Sequence, residues 1–168
     1  MKKGLLTLFL CLTCVILKAS EPLFFISRSL NKNCVNYDVN LVNGKLNKSN
    51  PIHVYWHNID GSNNELNYIQ NKFAYGYKTS NVTDEMATIT LKAYNKRKLT
   101  LKEYNGKWSC IVLINGTDCK LNEIYVKVNP KNSLSVEYIV LKGTSILTGN
   151  NHQEIIKNDN KSSVEIRP

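Results

Sequence analysis

The chain has 168 residues, of which 42% are hydrophobic, and its formal net charge is +9. This length and composition suit one domain with a single core. The lysines that carry the charge are dispersed among asparagines, which is typical of a solvated surface and disfavours a nucleic-acid-binding protein, whose basic residues are clustered.

The first twenty residues follow the order of a secretory signal peptide. Lys2 and Lys3 precede an uncharged run over residues 4–17, and the small residues Ala19 and Ser20 follow it. The run is shorter than the roughly 18 residues of a membrane span, and no second such stretch follows. We therefore expect a signal peptide over residues 1–20, export to the periplasm or the exterior, and no membrane span after cleavage.

From residue 21 onwards, turn signals separate segments in which apolar and polar residues alternate. Dipeptides that favour tight hairpins occur at residues 43–44, 60–61, 105–106 and 115–116. The last two predict the register of three strands, with Leu101 opposite Cys110 and Val112 opposite Cys119.

Two further features extend this meander. A three-residue loop over residues 95–97 would set Leu91 opposite Leu101, which adds a strand on the same apolar face. After Leu121 the apolar positions change from odd to even numbers, and this predicts a β-bulge near Asn122 and Glu123.

The whole pattern predicts a mainly β fold, a single antiparallel sheet curled into a barrel or a sandwich. Outer strands are expected at residues 22–28, 34–41, 52–57, 75–80, 134–141 and 152–157. A capping-box spacing from Ser62 to Glu65, followed by Leu66, Ile69 and Phe73, predicts one short covering helix near residues 63–73. We expect one domain over residues 21–157 and a frayed polar tail over residues 158–168.

Three cysteines follow the predicted signal peptide. Cys110 and Cys119 are candidates for a disulfide, but as diagonal neighbours their Cβ atoms would be roughly 7 Å apart, whereas a disulfide needs about 4 Å. Two buried thiols, or a bridge from one of them to Cys34, are the alternatives.

The densest polar cluster follows the apolar strand that begins the predicted domain. Its candidate ligand-binding residues are Arg28, Ser29, Asn31, Asn33 and Tyr37. A guanidinium beside hydroxyl and amide groups suits a carboxylate, phosphate or sulfate. The alternative is that the asparagines build a turn while Arg28 pairs with Asp38 or caps carbonyl groups.

A second candidate lies around Gly76. If this segment is extended, Tyr75 and Tyr77 point to the same side and form an aromatic platform beside Lys78. Core packing that leaves the tyrosine hydroxyls in water is the other interpretation.

The sequence contains no recognisable catalytic motif. His53 and His57 would be about 13 Å apart on one strand face, too far to share a metal, so neither a metal site nor a cofactor is expected. A hydrolase remains an alternative, since glycoside hydrolysis needs only two carboxylates that converge after folding. The carboxylates in question are Asp38, Glu103, Glu123 and Glu137.

Three segments carry a resemblance to a family of exported proteins. They are the Arg-Ser-x-Asn-x-Asn-x-Val-x-Tyr-Asp order over residues 28–38, the segment 51–56, and the Lys-x-Ala-Tyr-Gly-Tyr-Lys order over residues 72–78. In these the chain resembles the family called domain of unknown function 4833, from about residue 23 to 157. The resemblance implies a single domain behind a signal peptide and draws attention to the polar and tyrosine candidates above, but it brings no activity.

Together these features favour a non-enzymatic, exported binding module. Its partner would be a small anionic or glycan ligand, or a protein of the cell envelope. The alternative is an extracytoplasmic hydrolase with convergent carboxylates, and no catalytic residue is assigned.

Overall fold

A computed structural model describes residues 22–157; the predicted signal peptide and the predicted tail lie outside them. The fold is mainly β, as predicted. The strands are β1 Phe24–Arg28, β2 Asn31–Val39, β3 Leu41–Val42, β4 Lys45–Leu46, β5 Ile52–His57, β6 Asn63–Glu65, β7 Tyr77–Ser80, β8 Met86–Leu91, β9 Leu99–Tyr104, β10 Lys107–Ile114, β11 Thr117–Asn129, β12 Asn132–Ser145 and β13 Asn151–Lys157. Within the described part of the chain, no helix is long and apolar enough to cross a bilayer.

Eleven of these strands form one curled sheet, a half-barrel that divides at β11. The first half of β11 pairs with β10, and beyond it lie β9, β8 and β7. Its second half pairs with β1, and beyond it lie β2, β5 and β6. We call these the β7 wing and the β6 wing. The sheet is mixed rather than purely antiparallel, because β1 runs parallel to β11.

The registers at the two Asn-Gly turns are those predicted from the sequence. Cys110 pairs with Leu101, and Val112 pairs with Cys119. The ladder between β11 and β12 shifts between Leu121 and Glu123, where the bulge was expected. A bulge bends its strand and increases the local twist, and here it lies where β11 changes its partner from β10 to β1.

The pairing between β8 and β9 differs from the prediction. Ala87, not Leu91, lies opposite Leu101, because the loop between these strands spans residues 92–98 rather than three residues. The displacement is an even number of residues, so the same side chains still face inward. Ala87, Ile89 and Leu91 are all buried.

The core fills the inside of the half-barrel and is built from both wings. Phe24 of β1 stacks on Tyr37 of β2 with ring centroids 4.3 Å apart. Ile89 and Leu101 of the β7 wing belong to the same buried cluster. Each such side chain contributes roughly 1.5–3 kcal/mol when fully buried, so the core holds the two wings together.

The predicted helix is much shorter than expected. Asn63–Glu65, three of the four residues of the predicted capping box, instead form β6, because their backbone groups pair with the edge of β5. Only one π-helical turn remains, Gln70–Ala74. The expected buried stripe is wrong for Ile69 and Phe73, whose side chains are 67% and 64% exposed.

All three cysteines of the described chain are free, so the candidate disulfide between Cys110 and Cys119 is not formed. The hairpin register makes them diagonal rather than direct partners, as the distance argument favoured. Both side chains are fully buried, and burial raises the pKa of the Cys110 thiol to about 12. A thiol with so high a pKa stays protonated and unreactive near neutral pH.

Candidate functional site

Arg28 and Tyr75, taken from two separate candidate stretches, meet on the inner side of the sheet. Arg28 ends β1 and donates from Nη1 to the Tyr75 hydroxyl at 3.3 Å and from Nη2 to the Ser133 carbonyl at 2.6 Å. Both terminal nitrogens of the guanidinium therefore already have acceptors within the protein. This geometry supports the capping alternative for Arg28, and its role in ligand binding stays a prediction.

The neighbouring candidates hold loops in place. The Ser29 hydroxyl accepts a hydrogen bond from the Val128 amide at 3.2 Å, which fixes the β1–β2 turn against β11. The Asn31 side chain accepts one from the Asn33 amide at 2.9 Å, and the Asn33 side chain accepts one from the Ile59 amide at 3.0 Å. These contacts match the turn-building alternative for the asparagines.

Tyr37 is fully buried and serves the core. Its hydroxyl donates to the Tyr75 carbonyl at 2.6 Å, and burial raises its pKa well above the ordinary value. Its side chain is therefore out of reach of any ligand at the surface. Arg28, Tyr37 and Tyr75 together form what we call the inner tyrosine cluster.

Tyr75 and Tyr77 do not form the expected aromatic platform. The backbone of Tyr75 is helical, with φ −111° and ψ −10°, because it ends the π-helical turn. Its ring is buried and meets Trp56 edge-on at 5.2 Å. Tyr77 is half-buried and has other partners, so the two rings serve separate parts of the molecule.

The Tyr77 hydroxyl bridges the two wings where no backbone ladder joins them. It accepts a hydrogen bond from the Ile52 amide at 3.0 Å and lies 2.7 Å from the Ile52 carbonyl oxygen and 2.6 Å from Asn50 Oδ1. Ile52 begins β5 on the stretch that β6 leaves uncovered, since β6 pairs only with residues 55–57. Burial raises the pKa of Tyr77, so the hydroxyl keeps its proton.

A groove of about 550 Å³ follows this gap between β5 and β7, and we call it the seam groove. Its lining is mostly polar and includes Lys78, whose side chain is exposed. The lining residues are Ser49, Asn50, Ile52, His53, Val54, Glu65, Asn71, Tyr77, Lys78 and Thr79.

A second groove, of about 280 Å³, adjoins the first on the outer face of the β6 wing, and we call it the carboxylate groove. It is lined by Asp38, His53, Tyr55, Asn63 and Glu65. Tyr55 donates its hydroxyl proton to Asp38 Oδ2 at 2.9 Å, and His53 Nε2 lies 2.8 Å from Glu65 Oε1. The His53 and Tyr55 rings lie 5.0 Å apart.

Asp38 is the least satisfied group of the carboxylate groove. Its Oδ1 is shielded from solvent and has no hydrogen-bond partner among residues 22–157. Desolvation raises the pKa of Asp38, although the hydrogen bond from Tyr55 and the nearby His53 oppose that effect. Carboxyl groups with a perturbed pKa in a cleft are enriched at functional sites, which makes this groove a candidate site.

Sequence reasoning named Asp38 but did not place it with His53, Tyr55 and Glu65. The register of β2 on β5 brings Asp38 opposite His53, and that of β6 on β5 brings Glu65 opposite Tyr55. The available signal was the polar alternation of both strands. The other three candidate carboxylates, Glu103, Glu123 and Glu137, line neither groove; Glu123 pairs with Lys142 at 2.9 Å.

The fold and the grooves define a class: a half-barrel β domain with a polar cleft along its open seam. Among the described residues, no group of three or more histidine, cysteine or carboxylate side chains is arranged to hold a metal ion. The chain belongs to the family described as domain of unknown function (DUF4833), whose profile matches residues 24–155. No match was found among curated proteins or among solved structures.

Proposed function

We propose that this protein is an exported binding module that holds a sugar-like ligand in the seam groove. The observation that carries the proposal is the convergence of polar side chains around the cleft between β5 and β7, two strands that do not pair with each other in the described part of the chain. A volume of about 550 Å³ lies in the usual range of ligand pockets.

The mixture of polar groups favours a polyhydroxylated ligand over a simple anion. Lys78 donates, Glu65 accepts, and the amides of Asn50 and Asn71 do both. Sugar hydroxyls also donate and accept, whereas a small anion would be repelled by the Glu65 carboxylate. The sequence prediction included anionic ligands, and Lys78 would recruit an acidic sugar in the same way.

The N-terminal sequence supports the part of this proposal that concerns export. The lysines at residues 2 and 3, followed by an apolar run and small residues, are typical of a signal peptide, and an exported protein would encounter envelope or extracellular glycans. Expression of the full chain in a bacterium, followed by mass spectrometry of its N-terminus, tests this part: an intact Met1 terminus in the cytoplasm would contradict it.

A thermal-shift screen tests the binding site. Purified protein is mixed with neutral oligosaccharides, acidic oligosaccharides and simple anions, and we expect the melting temperature to rise with a sugar. Lys78→Gln and Asn71→Ala should abolish that rise, because both side chains line the seam groove. Lys107→Gln is the matched control, since Lys107 is exposed on the distant β9–β10 turn.

Some outcomes of this screen would contradict the proposal. If no sugar raises the melting temperature, or if the rise survives both groove variants, the seam groove is not the binding site. A rise with simple anions that Arg28→Lys abolishes would instead favour the inner tyrosine cluster.

A hydrolase is the second candidate, because two carboxylates do line the carboxylate groove. Asp38, whose pKa is raised, would protonate the leaving oxygen of a glycoside, while Glu65 would take a proton from the attacking water. We expect turnover of a chromogenic glycoside that both Asp38→Asn and Glu65→Gln abolish. Binding of sugars without any turnover would exclude the hydrolase and favour the binding module.

A further inference from the structure

Four loops at one end of the sheet project apolar side chains into solvent. Six large apolar residues there are 57–87% exposed. They are Leu30, Ile59, Tyr68, Ile69, Phe73 and Leu134. We call this surface the apolar end, and neither groove includes any of these residues.

Hydrogen bonds show that the four loops are neighbours. The Arg28 guanidinium joins the β1–β2 turn to the β11–β12 hairpin through the Ser133 carbonyl, and to the π-helical turn through the Tyr75 hydroxyl. The Asn33 side chain joins the β1–β2 turn to the loop of Ile59. The loops that carry the six apolar residues are therefore neighbours at this end of the sheet.

This surface is also basic. The loops that form it, residues 29–33, 58–62, 66–74 and 130–134, contain three lysines and one carboxylate. The lysines are Lys32, Lys72 and Lys131, and all three are exposed; the carboxylate is Asp60. The Lys72 ammonium lies 5.3 Å from the centre of the Tyr68 ring and 5.2 Å from that of Phe73, so a cation is held among the exposed aromatic rings.

We propose that the apolar end docks on the surface of an anionic lipid bilayer. Exposed apolar patches mark interaction sites, and a bilayer interface accepts apolar and aromatic tips while its anionic head groups attract lysines. The charge of the loops is the argument for lipid over a second copy of this chain, which would bring like charges together. This inference is independent of the ligand in the seam groove.

Vesicle flotation tests the docking. Purified protein is floated with vesicles of phosphatidylcholine alone and with vesicles that also contain phosphatidylglycerol. We expect binding only to the anionic vesicles, weakening as salt is added, because exposed charges are screened. Lys32→Gln and Lys72→Gln should each weaken it about fivefold.

A separate double variant, with a matched control, measures how much the apolar side chains contribute to vesicle binding. The double variant Ile69→Ser, Phe73→Ser should lower binding by at least about tenfold, since it removes two side chains that would enter the interface. The control is Leu113→Ser, Leu147→Ser, whose side chains are 51% and 88% exposed near the opposite end of β11. All four residues are exposed, so circular dichroism and melting curves should show that both double variants stay folded.

Several results would overturn the proposal. These are an absence of binding to anionic vesicles, equal binding to neutral ones, or equal loss in the two double variants. A wild-type protein that is dimeric in light scattering, with a monomeric Ile69→Ser, Phe73→Ser variant, would show that a second copy covers the apolar end instead.

Discussion

Two clusters built around tyrosines lie on opposite faces of β2, which contributes Tyr37 to one and Asp38 to the other. In the inner tyrosine cluster, the Tyr37 hydroxyl and the two terminal nitrogens of Arg28 bind protein acceptors, and Tyr37 is fully buried. In the carboxylate groove, Tyr55 binds Asp38, yet Asp38 Oδ1 has no partner among the described residues. Adjacent residues of one strand can therefore differ in whether the fold satisfies their polar groups. Tyr37 is adjacent in sequence to Asp38.

The largest effect that this comparison predicts is that of Tyr37→Phe. The change removes the donor to the Tyr75 carbonyl in the core, and an unsatisfied buried group costs about 1–3 kcal/mol. Urea unfolding measures the loss. Tyr55→Phe is the control from the other face, and an equal or greater loss there would remove the distinction between the two clusters.

Arg28→Met should cost less, about 1 kcal/mol, because Arg28 is only half-buried and water replaces part of what is lost. Thermal unfolding gives the comparison with Lys32→Met, an exposed neighbour for which we expect a change within about 0.5 kcal/mol. Identical melting temperatures for the two variants would show that Arg28 does not stabilise the β11–β12 hairpin.

Asp38→Asn should have a smaller effect whose sign depends on pH. The folded state raises the pKa of Asp38 above its ordinary value of 3.8, so folding favours the protonated form. The stability contributed by this group is therefore lost as pH rises from 3.8 through the raised pKa. The asparagine variant should gain stability relative to the wild type over that window. Unfolding curves at several pH values measure the difference, and a relative gain at acid pH instead would show that the charged form is the one stabilised.

The smallest effect is expected for Lys78→Gln, at the seam groove. Its side chain is exposed, so the free energy of unfolding should change by no more than about 0.5 kcal/mol. A larger loss in urea unfolding would mean that Lys78 holds the seam together and would weaken its assignment to ligand binding.

The fold was largely predictable from the sequence because hairpin turns act locally. The dipeptides at residues 105–106 and 115–116 determine the pairing of β9, β10 and β11, and the change of parity after Leu121 located the bulge. The parallel pairing of β1 with β11 was not predictable, since no short-range signal joins strands so far apart in the sequence.

The candidate site was less predictable for the same reason. Arg28 and Tyr75 lie in separate candidate stretches, and only the folded chain shows that they bind each other. The carboxylate groove depends on the pairing of β2, β5 and β6. The sequence of β6 predicts a helix start, because its three polar residues satisfy both patterns. The chemistry of each side chain can be recognised from the local sequence. Which side chains lie together in a site depends on tertiary contacts.

The parallel ladder between β1 and β11 has a consequence for when the protein acquires its structure. The Ser27 hydroxyl of β1 donates a hydrogen bond to the Glu123 carboxylate of β11, 96 positions later. The first of the described strands to be synthesised can therefore complete its pairing only after β11 has been made. Contacts of such separation make folding slow. Until β11 has been synthesised, β1 therefore lacks one of its two neighbouring strands and can pair only with β2.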